Sequence, residues 1–244
     1  MSVPILYVIA GPNGIGKTTS DFDFVPKNTP VINSDEIAAE ARTAGKIKSN
    51  TQEYANRESA KLIDNYLASR SSFAFETNLN DIETWKFLLK VQESGYQIHV
   101  IYISTNNLEI LNARIKDRVN LGGHFVRPDI VEERYLTGLN LLNHYSDKPD
   151  KLQLFDNSAT MQLVAEISKG QILHAALQLP SWVTQYLGNL FNAEIKMETK
   201  ARDLNSIEDV RKRYLENRQK LENNKQSGEP DPPEEVRKSK GRNR

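Results

Sequence analysis

The chain has no cysteine in 244 residues. That excludes a disulfide framework and any thiol chemistry, and it fits a reducing compartment. No stretch approaches the roughly 20 apolar residues of a membrane span. The N-terminus also lacks a basic segment followed by a long apolar one. The expected location is therefore the cytoplasm, with no membrane partner. Net charge is missing too: Lys+Arg and Asp+Glu both number 32. Overall charge thus gives no reason to expect a nucleic-acid partner. The 4 histidines, His99, His124, His144 and His174, are scattered without metal-ligand spacing.

The even balance hides a division along the chain. From about residue 194 onward roughly half of the residues are charged and apolar residues thin out. A segment of that kind cannot bury enough apolar surface to offset its ordering entropy. The expected organisation is a domain over 1–192 and a charged, largely disordered tail over 193–244. Within the tail, Ser206 and Asp209 form a capping signal. Leu204, Ile207, Val210 and Tyr214 around it recur at helical spacing, so a helix near 205–222 is a candidate. The proline-rich GEPDPPEE then breaks it.

What the first part does have is apolar runs alternating with amphipathic stretches. VPILYVIA at 3–10, PVIN at 30–33, SFAFET at 72–77, YQIHVIYIS at 96–104 and KLQLFDNS at 151–158 read as strands. Helices are expected between them. One opens at Lys17. Another follows Ser34 as N-cap and stops at Gly45. Further helices lie over 51–69, 81–95, 106–120 and 130–145. Strands alternating with helices predict an α/β fold with a mainly parallel sheet of five or six strands covered by helices on both faces.

Directly after the first strand stands GPNGIGKT, residues 11–18, which fits G-x-x-x-x-G-K-[ST] at every fixed position. Strand, glycine loop and helix in this order form a phosphate cradle. Gly11, Pro12, Asn13, Gly14, Ile15, Gly16, Lys17, Thr18 and Thr19 are the expected nucleotide-binding residues. The glycines let backbone N–H groups turn onto phosphate oxygens. Lys17 reaches the β- and γ-phosphates, and Thr18 is the expected Mg²⁺ ligand. The implied cofactors are ATP, or another NTP, and Mg²⁺.

Asp35, in NSDEIA after the second strand, lies at the carboxyl edge of a parallel sheet, where ligands bind. It is the candidate base for a substrate hydroxyl; helix capping is the plainer alternative. Glu76 closes the third strand at the same edge and is a candidate contact for substrate hydroxyls or, through water, Mg²⁺. A plain strand terminus accounts for it equally well. Asp156 in LQLFD is the nearest formal match to a Walker B acid and reads as turn chemistry. Arg114, Lys116, Arg118, Arg127 and Arg134 surround a Gly-Gly loop that carries His124. A lid of this kind can bring arginines onto a transferring phosphoryl group. A solvated helix face is the plainer account of any one of them.

Taken together, GPNGIGKTT, NSDEIA, SFAFETNL, SGYQIHVIYIS and RVNLGGHFVRPDIVEERY resemble the zeta toxin family of P-loop kinases over about residues 3–158. The resemblance implies a P-loop NTPase fold, three-layer α/β/α and nucleotide-kinase-like, and an ATP-dependent phosphotransferase acting on a hydroxyl-bearing small molecule. In the family's toxins this is UDP-N-acetylglucosamine. An antitoxin protein is a candidate partner, one that a single chain does not reveal. Lys17 then corresponds to the P-loop lysine, Asp35 to the base and Glu76 to the substrate-contacting glutamate. Arg118 and Arg127 correspond to the arginines on the transferred phosphate, with Arg114 and Arg134 as alternatives under a different gap. Asn78, Arg114, His124 and Arg134 join Glu76 as substrate-side candidates. Two departures stand out: Asn78 follows Thr77 where the family often has a second threonine, and the lid reads FVRP. Another sugar or nucleoside acceptor, or a nucleotide-dependent binding module, are the competing readings.

Overall fold

The computed structural model describes residues 3–18, 24–45, 50–120 and 125–191. Seven strands form one sheet in the order β2-β3-β1-β4-β5-β6-β7. They are β1 (Ile5–Ala10), β2 (Val31–Ile32), β3 (Phe73–Thr77), β4 (Gln97–Ser104), β5 (Lys151–Asp156), β6 (Gln162–Ser168) and β7 (Gln171–Ala175). The first five run parallel. β1 lies between β3 and β4, with Leu6 opposite Phe73 and Ile98. Its Leu6, Val8 and Ala10 are fully buried, as an apolar strand in the middle of a parallel sheet requires.

The helices are α1 (Ser34–Thr43), α2 (Thr51–Ser69), α3 (Ile82–Glu93), α4 (Leu108–Asn120), α5 (Pro128–Tyr145) and the short α6 (Ser181–Tyr186) and α7 (Gly188–Phe191). Trp85 of α3 stacks on Tyr145 of α5 with ring centroids 4.9 Å apart. Trp182 of α6 packs near Tyr102 of β4. Asp81 starts α3 by accepting a hydrogen bond from the Thr84 N–H at 2.7 Å.

Two expectations need correction. The sheet has seven strands rather than five or six, because β5 continues into an antiparallel β6–β7 hairpin. Its turn, Lys169–Gly170, has φ of 48° and 76°, the left-handed pair that suits a two-residue hairpin loop. The cap of α1 is Asn33, not Ser34. The Asn33 side chain accepts from the Asp35 and Glu36 N–H groups, while Ser34 is the first helical residue. The helix expected from Lys17 runs mainly over positions outside the described residues; Lys17 and Thr18 themselves form a turn. Thr19, His124, the boundary near Asn192 and the whole tail also lie outside the described residues. Among the described residues, no helix is long and apolar enough to cross a membrane.

Candidate active site

The glycine loop after β1 emerges where the chain direction divides: β3 flanks β1 on one side and β4 on the other. Ligand crevices form at such a switch point. Gly11 holds φ of 142°, and a Cβ there would stand 2.2 Å from the Ile103 carbonyl oxygen. Gly14 holds φ of 80°, and its Cβ would stand 2.7 Å from the Leu111 oxygen. Only glycine lets the loop lie this close to β4 and α4. Ile15 is fully buried beneath the loop. Its carbonyl accepts from Asn157 Nδ2 at 2.8 Å and Arg114 Nη1 at 3.3 Å. Arg114 also donates to the Asn157 carbonyl at 3.1 Å. The arginine thus clamps the loop to the end of β5, so the cradle is held from beneath by side chains far along the chain.

Lys17 lies on the inner side of the loop. Its ammonium donates to Gly11 O at 2.7 Å, Pro12 O at 3.3 Å and Asn78 Oδ1 at 3.3 Å. Burial lowers its pKa to about 8; Glu76 and Asp35 oppose that fall, and Arg118 and Arg134 reinforce it. Thr18 Oγ1 donates to Glu76 Oε2 at 3.0 Å, and Asn33 Nδ2 donates to Thr18 Oγ1 at 3.4 Å. Burial also raises the Glu76 carboxyl pKa, opposed by Lys17 and the Thr18 hydroxyl and reinforced by Glu36 and Asp35. Asp35 is exposed in the first turn of α1. Its charge is felt at both Lys17 and Glu76.

The structure separates the lid arginines. Arg134 Nη1 donates to Asn13 Oδ1 at 2.8 Å, and its charge reaches Lys17. Arg118, half-buried on α4, also acts on Lys17. Arg127 caps the start of α5 on the surface and pairs with Asp129. Asp156 is buried and accepts from Trp182 Nε1 at 2.9 Å, from Ser158 Oγ at 3.0 Å and from the Ser158 N–H at 3.2 Å. It serves the turn after β5 and anchors α6. Sequence reasoning passed over two contributors. Asn33 reaches Thr18, and its signal was Asn directly before Ser-Asp-Glu, since Asn caps at least as well as Ser. Glu36 adds its charge at Glu76; its place one residue beyond Asp35 in the same helical turn was the available clue.

A glycine loop on the central strand of a β2-β3-β1-β4-β5 parallel array, with a lysine and carboxylates at its mouth, defines a kinase-type P-loop domain. The family model "Zeta toxin" matches residues 2–169, and the chain belongs to that family. An uncharacterized protein of Haemophilus influenzae is 33% identical over 125 residues, covering 51% of this chain and 88% of that protein. Among solved structures, the AvrRxo1-ORF1:-ORF2 complex with ATP superposes with a TM-score of 0.55 at 15% identity, over 76% of this chain and 64% of that chain. The PezAT chromosomal toxin-antitoxin system of Streptococcus pneumoniae gives 0.50 at 16% identity, over 88% and 89%. These two likenesses concern the fold. Family and P-loop together place the chain among ATP-dependent phosphotransferases in the general sense.

Proposed function

We propose that the protein transfers the γ-phosphate of ATP to a hydroxyl of a small molecule, with UDP-N-acetylglucosamine the first acceptor to test. The observation that carries this reading is the convergence of Lys17, Thr18, Asp35 and Glu76 at one loop mouth. A passive phosphate binder needs the lysine but not the two carboxylates.

Loop N–H groups and Lys17 bind the β- and γ-phosphates. Thr18 Oγ1, beside the Glu76 carboxylate and the charges of Asp35 and Glu36, is the hard-oxygen environment that suits Mg²⁺. When bound, the ion supplies charge neutralisation at the phosphate oxygens. Asp35 takes the proton of the acceptor hydroxyl as its oxygen bonds to the γ-phosphorus. The bond from that phosphorus to the bridging oxygen breaks, and ADP leaves. Arg118 and Arg134 offset the charge spreading over the equatorial oxygens; Arg127 stays at the surface with Asp129, and His124 lies outside the described residues. Glu76 orients the acceptor. Arg114 keeps the loop in place from below. One matched structure pairs AvrRxo1-ORF1 with -ORF2 and the other comes from a toxin-antitoxin system, and both motivate an antitoxin-like protein as a partner.

The decisive experiment is Asp35→Asn assayed with Mg-ATP against UDP-N-acetylglucosamine and then a metabolite pool read by mass spectrometry. Transfer should fall at least about a hundredfold, while ATP affinity changes far less. Transfer at the wild-type rate would make Asp35 a surface residue of α1 and end the mechanism. ATP binding without transfer to anything, in either form, would leave a nucleotide-dependent binding module. Transfer to a different sugar or nucleoside would keep the mechanism and replace the acceptor.

A further inference from the structure

Lys17 and Arg134 stand far apart in sequence, yet two side-chain amides join them. Lys17 Nζ donates to Asn78 Oδ1 at 3.3 Å, Asn78 Nδ2 donates to Asn13 Oδ1 at 3.1 Å, and Arg134 Nη1 donates to that same Asn13 oxygen at 2.8 Å. The orientation of both amides is dictated chemically. Ammonium and guanidinium groups only donate, so each amide must turn its oxygen toward its cation. The Asn78 NH₂ is then left to meet Asn13. The segment carrying Asn78 is itself pinned. Leu79 is fully buried with φ of 54°, and its N–H donates to Thr77 Oγ1 at 3.0 Å. A leucine held in the left-handed region by complete burial fixes the backbone next to the amide.

We propose, on the phosphotransfer reading above, that Asn78 is a positioning residue that sets Lys17 of the loop and, through Asn13, Arg134 of α5 at a common phosphate site, rather than a contact for the acceptor. The choice of side chain follows from this task. A threonine hydroxyl is too short to span both partners. A carboxylate would pair with the ammonium and compete with the phosphate for it. A neutral amide holds both cations in register and leaves their charge for the ligand.

The test compares Asn78→Ala, Asn78→Asp, Arg134→Ala and the Asn78→Ala/Arg134→Ala pair in the full chain. The measurements are ATP affinity by calorimetry, kcat and acceptor KM. Asn78→Ala should lower kcat about tenfold or more and leave acceptor KM within about threefold. The double variant should be little worse than the worse single one, since groups acting as a unit are non-additive. Asn78→Asp should weaken ATP binding about tenfold. It is nearly isosteric, so it keeps the test alive if the alanine variant does not fold. Three results would overturn the proposal. One is a raised acceptor KM with kcat and ATP affinity unchanged, which marks an acceptor contact. Another is full additivity with Arg134. The third is an ATP affinity that Asn78→Asp leaves in place. ATP affinity needs no acceptor, so the proposal is decided there even if no transfer is found, an outcome that would defeat the phosphotransfer reading alone.

Discussion

The two ends of the sheet treat charge in opposite ways. At the amino end of β5, Lys151 Nζ pairs with Glu166 Oε2 at 3.1 Å, and Glu166 also accepts from Gln153 at 2.9 Å. Asp150 accepts from the Ile98 N–H at 2.9 Å and from Gln92 Nε2 at 2.9 Å. An open groove of about 280 Å³ runs between these groups and His99. Burial lowers the pKa of the His99 imidazole, reinforced by Lys151 and opposed by Asp150 and Glu166. At the carboxyl end, by contrast, Lys17 donates to two backbone carbonyls and an amide oxygen, and Arg134 donates to an amide oxygen. A direct ion pair spends most of a cation's field inside the protein. A hydrogen bond to a carbonyl or amide oxygen leaves more of that field for an anion. The groove is a stabilising seam, and the loop mouth is a site.

The largest effect expected at either end comes from removing the space on which the site depends. Gly11→Ala forces a Cβ against the Ile103 carbonyl from a left-handed backbone. It should cost about 3 kcal/mol or more of stability, or prevent folding, as thermal or urea unfolding will register. Next comes Lys17→Ala. With a charge-assisted contact worth about 1.5–3 kcal/mol removed, calorimetric ATP affinity should drop about ten- to a hundredfold while the melting temperature holds. Unchanged affinity in a folded variant would erase the contrast between the two lysines.

Smaller and graded is the effect of pH. Lys17 titrates at about 8 in the free protein, and phosphate binding favours its ammonium form. ATP affinity should therefore be flat below that pH and fall above it, by up to about tenfold per unit. In Lys17→Arg the falling limb should vanish, since guanidinium stays charged. A limb that survives the substitution would belong to another group. The smallest effect belongs to the seam. Lys151→Met should shift stability by no more than about 1 kcal/mol and leave ATP affinity untouched. A loss of affinity there would show that the two ends are coupled.

What sequence could reveal of this arrangement tracks the range of the interactions involved. β1 and its glycine loop were legible, since an apolar run and a phosphate motif are both local. α2 was legible to the residue at both ends, 51 and 69. The β6–β7 hairpin left a local signal in Lys169–Gly170 that the strand count passed over. The cap of α1 was misassigned by one position because two capping residues stand side by side. The tasks of Arg114, Asn78 and Arg134 were not legible at all. Each depends on a partner at least 43 positions away, and only the folded sheet brings those together. Arg127 was favoured over Arg134 as a catalytic candidate; in the fold Arg127 pairs with Asp129, and Arg134 bonds to Asn13 beside Lys17.

The central place of β1 also governs the order in which the molecule can assemble. Its two neighbours arrive late in the chain: Leu6 pairs with Phe73 on one side and Ile98 on the other. Closing such long loops precedes any reward from the contacts they bring. The hairpin β6–β7, joined by two residues, faces no such delay. During synthesis from the N-terminus, the glycine loop is made first and yet cannot be braced until Ile103, Arg114 and Asn157 have followed. A nascent chain that ends before β5 therefore holds the whole phosphate motif without the cradle. Nucleotide affinity should appear along a ladder of truncated chains only once the fifth strand and Asn157 are present.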